Sequence, residues 1–231
     1  MSYFKDDLVH ASDQPQNNME LMIDVESLGT VMGSPVVTIG ACLFDPYSCD
    51  SGDALMARSI LIRIDLSEAI KYSIGVDGGT LRWWFEQKDA AIKALVGNDA
   101  VSMQEALTTL ERFCLERGAF VDNQFFPGLS ALPKACRYWA KDPDFDMRLM
   151  QHFYEHPDLN ARMPWKFWEC RSVRTVQDLA WPDGQRPDFD VAGGVAHDAR
   201  WDAVTQAMMV QAAIHRLGQS KDQDVVFDRF E

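Results

Sequence analysis

Long apolar runs are missing from this chain of 231 residues, so no segment is expected to cross a bilayer. The polar opening MSYFKDDLVH also lacks the basic-then-apolar layout of a secretion signal. Cysteine is scarce: Cys42, Cys49, Cys114, Cys136 and Cys170 are scattered with no C-x-x-C, which fits reduced thiols better than a disulfide framework. A cytoplasmic protein is therefore the expectation. Positive charge is short as well, since 22 Lys and Arg against 35 Asp and Glu leave a formal charge of −13. That excludes a broad basic surface as the means of holding nucleic acid. A polynucleotide would have to be held by bound cations, a few arginines and stacking, over a short footprint. Internal repeats, low-complexity tracts and a phosphate-cradling P-loop are lacking too. Gly193-Gly194 is too short for such a loop and reads as flexibility before His197.

What is present suits one domain. Apolar residues make up 47% of the chain, ample for a core. Residues 1–18, with the breaker cluster Ser12 to Asn18, are expected to form a loose arm, residues 19–218 a single domain and residues 219–231 a tail. β-rich patterning predicts strands at Glu20–Glu26, Pro35–Asp45 and Met56–Leu66, joined as a meander. The period then changes, and helices are predicted at Thr80–Val96 and Met103–Arg117. There follow a buried strand at Ala135–Ala140, a helix at Asp144–Tyr154 begun by Pro143, and a last strand at Lys166–Arg171. A short helix at Val173–Ala180 and a long one at Ala199–Leu217, closed by Gly218, complete the chain. Strands first, then strand and helix in alternation, imply an α/β fold whose sheet has an antiparallel start.

Candidate chemistry begins in MELMIDVESLGT, Met19 to Thr30. Strand alternation puts Asp24 and Glu26 on one face, where two carboxylates are comfortable only with a cation or a retained proton. A lone D-x-E also fits an edge strand whose polar face meets water. Asp142, Asp144 and Asp146 follow at a strand-to-helix junction. The first two suit a helix dipole, whereas Asp146, between Phe145 and the apolar Leu149 and Met150, points back toward the strand's end. Further on, His197 precedes the last helix and Asp202 lies in its early turns, with Asp198 a rival to Asp202. His152 and His156 have zinc-compatible spacing, but no H-E-x-x-H is formed and Pro157 ends the helix, so a surface pair is the better reading.

The order D-x-E, F-D in a helix, then H-x-x-x-x-D resembles the DnaQ-like DEDDh 3′→5′ exonucleases on the ribonuclease H-like fold. MIDVESLGT, TLRWWFEQ, YWAKDPDFD, WKFWECRSVRTV and HDARWDA are similar to a bacterial and phage branch of these enzymes, across most of residues 20 to 217. The resemblance implies a ribonuclease H-like α/β domain with a central mixed five-stranded sheet flanked by helices. It also implies Asp24, Glu26, Asp146 and Asp202 as ligands of two divalent cations, Mg²⁺ or Mn²⁺, and His197 as general base. Only Asp202 has the family spacing to His197. Four carboxylates suit two hard cations, and an imidazole of ordinary pKa about 6.5 suits proton removal near neutrality. Leu28 stands where many relatives outside this branch carry threonine, so Ser27, Leu28, Gly29 and Thr30 are expected to hold the terminal nucleotide through backbone groups. Trp84, of the Trp83-Trp84 pair, and Arg171, ahead of Arg174, are the further candidates for substrate contact.

The implied activity is hydrolysis at single-stranded DNA or RNA 3′ ends to nucleoside 5′-monophosphates. The alternative is a non-catalytic nucleic-acid-binding or protein-interaction module that keeps the fold. A homodimer face around Trp83 to Phe85 is compatible with either.

Overall fold

The computed structural model describes residues 19–116, 137–189 and 194–219. The expected arm over residues 1–18, the tail beyond residue 219, the first two residues of the predicted fourth strand and Gly193 lie outside the described residues.

The chain enters on β1 (Glu20–Ser27) and returns antiparallel on β2 (Val36–Phe44), from Glu20 opposite Phe44 to Glu26 opposite Thr38, after which the register shifts and Ser27 stands opposite Val36. A short helix α1 (Gly52–Met56), capped by the Ser51 hydroxyl, leads to β3 (Ser59–Arg63), antiparallel to β2. The predicted meander is therefore present, with a third strand shorter than expected. Helices α2 (Leu66–Lys71), α3 (Gly78–Phe85), α4 (Asp89–Leu95) and α5 (Met103–Glu116) follow. Then come β4 (Tyr138–Ala140) and α6 (Asp146–Tyr154). A 3-10 turn, Phe167–Glu169, precedes β5 (Cys170–Ser172), α7 (Val173–Ala180) and the long α8 (Ala199–Gln219). β4 and β5 run parallel to β1, so the sheet is mixed, in the order β3-β2-β1-β4-β5. This is the α/β, ribonuclease H-like arrangement that the sequence led us to expect.

Several predicted boundaries are corrected. Thr80–Val96 is two helices rather than one. Asp77 caps the first, accepting from the Thr80 N–H at 2.7 Å, and no Gly or Pro marks the break near Glu86. The helices α1 and α2 were not expected at all. The strand at Lys166–Arg171 is mostly a 3-10 turn, closed when the Lys166 N–H donates to Glu169 Oε2 at 2.8 Å. Gly218 does not close α8, which continues through it on an exposed face.

β1 is the middle strand, and both of its faces are covered. Leu21, Ile23 and Val25 join a large core with Leu107, Leu110, Met150 and Phe153. Met22 joins a second core with Trp139, Val173, Val204 and Val210 beneath α8. Asp24 and Glu26 continue the Met22 side, so they face α8 rather than open water. Gly40, opposite Asp24, lets α8 come this close. A Cβ at Gly40 would run into the Ala199 carbonyl and the Arg200 nitrogen at the start of α8.

Candidate active site

The carboxyl ends of the central parallel strands and the first turns of two helices meet at one point. β1 pairs with β4 only as far as Met22 opposite Trp139. Beyond that, the Val25 N–H donates to Asp146 Oδ1 at 3.1 Å, so the first residue of α6 caps the strand where its neighbour has ended. Asp24 is buried, and Gln206 on α8 donates from Nε2 to its Oδ1 at 2.7 Å. Asp202 lies one turn before Gln206 on the same helix face. Glu26, His197 and Asp202 offer ligand atoms that all lie within 4.8 Å of one another. A cavity of about 350 Å³ is lined by Asp24, Glu26, Asp146, His197 and Asp202 together. All five residues singled out in the sequence are thus brought to one place. Asp198 is not part of the lining. Its Oδ1 caps α8 by accepting from the Arg200 N–H at 3.0 Å.

The electrostatics are those of acids held together against their preference. Burial, with Asp146, Glu26 and Asp202 adding to it, holds the Asp24 carboxyl well above its usual range. Burial followed by repulsion from Asp202 and Asp146 pushes Glu26 up to about 9. Asp146 is raised to about 7 by burial, although the Val25 amide opposes the shift. Asp202 is raised by burial too, with His197 and Lys141 opposing. A cluster of four buried and half-buried carboxylates is a poor structural element and a suitable cage for hard cations, because added positive charge would offset these repulsions. The buried Gln206 Oε1 also finds no partner among the described residues, as would suit an acceptor facing a hydrated ion.

His197 is the only non-glycine described residue with a positive φ, 63°. Its ring stands edge-on to Trp83 with centroids 4.9 Å apart, so the loop that carries it is folded back over α3. Trp84, the tryptophan chosen for substrate contact, is 4% exposed and its indole N–H donates to the Ser27 carbonyl at 2.9 Å, so only an edge of its ring is left to line the cleft beside Glu26 and Trp83. Trp83, at 41%, is the one that shows a ring to solvent.

In the turn after β1, Leu28 is buried in the core. Its N–H and C=O are already bonded to the Pro35 carbonyl and the Asp77 N–H, so neither its side chain nor its backbone is open to a nucleotide. Ser27 donates its hydroxyl to the Gly29 carbonyl. Gly29 packs so tightly on Ser34 that no side chain would fit there. Of the four turn residues only Thr30 is exposed, on the rim of a second cleft of about 480 Å³. That cleft is lined by Glu26, Ser27, Thr80, Trp83 and Phe145 among others.

Arg171 does not line the carboxylate cavity, and its Nη1 donates to the Trp168 and Cys170 carbonyls at 2.8 Å. Arg174, the second residue of α7, lines the carboxylate cavity instead and donates to Asp142 at 2.6 Å. Lys141 lines the same cavity and went unremarked in the sequence, although it stands inside the YWAKDPDFD segment. Gln206 could have been found as the residue four after Asp202. His152 and His156 do not converge on an ion: one ring nitrogen lies 2.9 Å from the Tyr72 carbonyl and the other accepts from the Asp158 N–H.

The sequence profile of the 3′-5′ exoribonuclease Rv2179c-like domain matches residues 19–214. The chain belongs to this family. Membership in an exoribonuclease family agrees with the resemblance to DnaQ-like DEDDh exonucleases read from the motifs. Among solved structures, cell-death related nuclease 4 (CRN-4) superposes with a TM-score of 0.50 at 11% identity, over 86% of this chain and 64% of that one. The chain thus spans about two-thirds of that nuclease, and the likeness is one of fold. The nuclease domain of 3′hExo, a DEDDh family member bound to rAMP, gives a TM-score of 0.49 at 9% identity, over 92% and 98% of the two chains. A comparison with curated proteins returns no match.

Proposed function

We propose that this member of the exoribonuclease family is a metal-dependent 3′→5′ exonuclease that shortens single-stranded 3′ ends, RNA foremost, and releases nucleoside 5′-monophosphates. The observation that carries it is the convergence of Asp24, Glu26, Asp146, Asp202 and His197 on one cavity. In this reading the four acids hold two divalent cations, Mg²⁺ or Mn²⁺. When bound, such ions supply an activated water and charge to stabilise the leaving 3′ oxygen. The chain's own residues do the rest. The Val25 amide and the Gln206 side chain fix the directions of Asp146 and Asp24. His197 takes the proton of the attacking water, its imidazole held over the site by the turn at φ 63° and by Trp83. Lys141 and Arg174 stand on the cavity wall to meet the phosphate. The cleft beside Trp83, Thr30 and Phe145 shares Glu26 with the acid cavity and receives the terminal nucleoside. RNA is favoured by the family's description. The acting unit is residues 19–218 in a cytoplasmic protein, and among the described residues no helix is long and apolar enough to cross a membrane.

The test is digestion of 5′-labelled RNA and DNA oligomers of matched sequence with Mg²⁺ or Mn²⁺. The expected result is a ladder receding from the 3′ end, faster on RNA. If neither polymer is shortened, or if Asp24→Ala shortens it equally well, the reading is wrong.

A further inference from the structure

Among the described residues, one exposed pair of adjacent aromatic rings lies outside the cavity. In the turn Phe167–Glu169, Phe167 is 83% and Trp168 58% exposed, with their rings edge-to-face and centroids 4.8 Å apart. Lys166 Nζ stands over the Trp168 ring, 5.5 Å from its centroid. Two neighbouring aromatic side chains this open have no part in either hydrophobic core beneath the sheet. Single apolar residues on a surface need no explanation, but an exposed pair beside a cation has the make-up of a base-stacking platform.

The surroundings point the same way. From Lys166 to Arg174 the chain carries Lys166, Arg171 and Arg174 against a single acid, in a protein whose overall charge is −13. That acid, Glu169, is folded back on the Lys166 N–H. The stretch runs from the aromatic pair through β5, an edge strand, to Arg174 on the wall of the acid cavity. From Trp168 to Arg174 the backbone covers at most roughly 20 Å, a span that a few nucleotides bridge. Trp83, also exposed, lines the cleft already given to the terminal nucleoside.

We infer that Phe167 and Trp168, with Lys166, form an accessory platform for single-stranded RNA upstream of the 3′ end. Bases stack on the aromatic pair while Arg171 and Arg174 lend positive charge to the path toward the site. The inference rests on the proposed exonuclease reading for the direction of the strand. It predicts that the footprint exceeds the terminal nucleotide and that long oligomers are held better than dinucleotides.

The test compares the full chain with a Phe167→Ala/Trp168→Ala variant on a uridine dinucleotide and a longer oligouridylate in Mn²⁺. In parallel, the anisotropy of a labelled oligouridylate is followed in Ca²⁺. KM for the long substrate is expected to rise about tenfold or more with kcat held, and the anisotropy affinity to fall by a similar factor. Dinucleotide turnover should not move. Equal effects on both substrates, or none on either, overturn the platform. So does a change in sedimentation coefficient with KM and anisotropy unmoved, which would make this face a contact between copies of the chain. If the unmodified chain cleaves nothing, it is the functional reading that has failed, and the anisotropy comparison alone decides the platform.

Discussion

Glu20 and Asp24 sit on the same strand, on the same face, four residues apart, and both are buried. At the near end burial raises the Glu20 carboxyl, and it accepts from the Trp139 indole and from Arg137 at 3.1 Å, partners that take back part of that rise. At the far end Asp24 has a single donor, Gln206, and three more acids around it. The first is a carboxylate supplied with what it needs by the protein. The second, on the proposed reading, is supplied by a bound cation. Alternation along a strand cannot separate the two, and only the neighbours brought in by the fold do so.

The contrast is broken most sharply by paired substitutions. Asp24→Asn is expected to lower Mn²⁺ affinity in calorimetry by more than about a hundredfold, to abolish cleavage, and to stabilise the metal-free protein by relieving repulsion. Glu20→Gln should leave Mn²⁺ binding and turnover in place and destabilise the fold by about 1–2 kcal/mol in urea, since Arg137 loses its ionic partner. If both variants lose metal equally, the distinction between the two ends of β1 is wrong.

Gly40→Ala strikes between them. A methyl group there has no room against the Ala199 carbonyl, so α8 must lift, carrying Asp202 and Gln206 away from Asp24. The expected cost is about 1–3 kcal/mol or more of stability, with turnover falling further than the fold itself. Undiminished turnover would mean that α8 can seat without this contact.

Gln206→Ala is gentler. Losing the donor to Asp24 is expected to weaken Mn²⁺ binding about 10- to 100-fold while unfolding is little changed, with Gln206→Asn restoring nothing because its amide falls short. An unaltered calorimetric titration would reduce Gln206 to a packing residue.

The smallest effect is one of pH. Glu26 at about 9 and Asp146 at about 7 both lie above the unfolded carboxylate value, so the folded metal-free protein binds more protons than the unfolded one from roughly pH 4 upward. Their contribution is full at low pH and is lost as pH rises through those folded values. Melts in EDTA should therefore fall from pH 5 toward pH 9, after allowance for the trend of an Asp24→Asn control. Saturating Mn²⁺ should flatten the slope, and a slope that persists in metal would place its origin elsewhere.

Much of this was legible before the fold was seen. Period-two alternation found β1, and the acids of the site stood out because each sits at a strand end or a helix start. The remainder depended on distance across the sequence. Trp83 and Trp84 are neighbours in one helical run, and only the reach of the Ser27 carbonyl decides which ring goes inside. Arg171 and Arg174 differ by a turn of backbone that carries one to the cavity and leaves the other on its own strand's carbonyls. Gly40 looked like any glycine in a strand until α8 came to rest on it. The break within Thr80–Val96 left no mark, because every residue around it is an acceptable helix former.

The rest of α8 on Gly40 also has a bearing on how the enzyme comes into being. Asp24 and Glu26 emerge first in synthesis and Asp146 later, but Asp202 and Gln206 arrive only with α8. A chain halted before α8 carries three of the four acids and lacks Asp202 and the Gln206 amide that holds Asp24. On the proposed reading, the cation site is thereby withheld from such a fragment and is completed only when α8 has seated on Gly40.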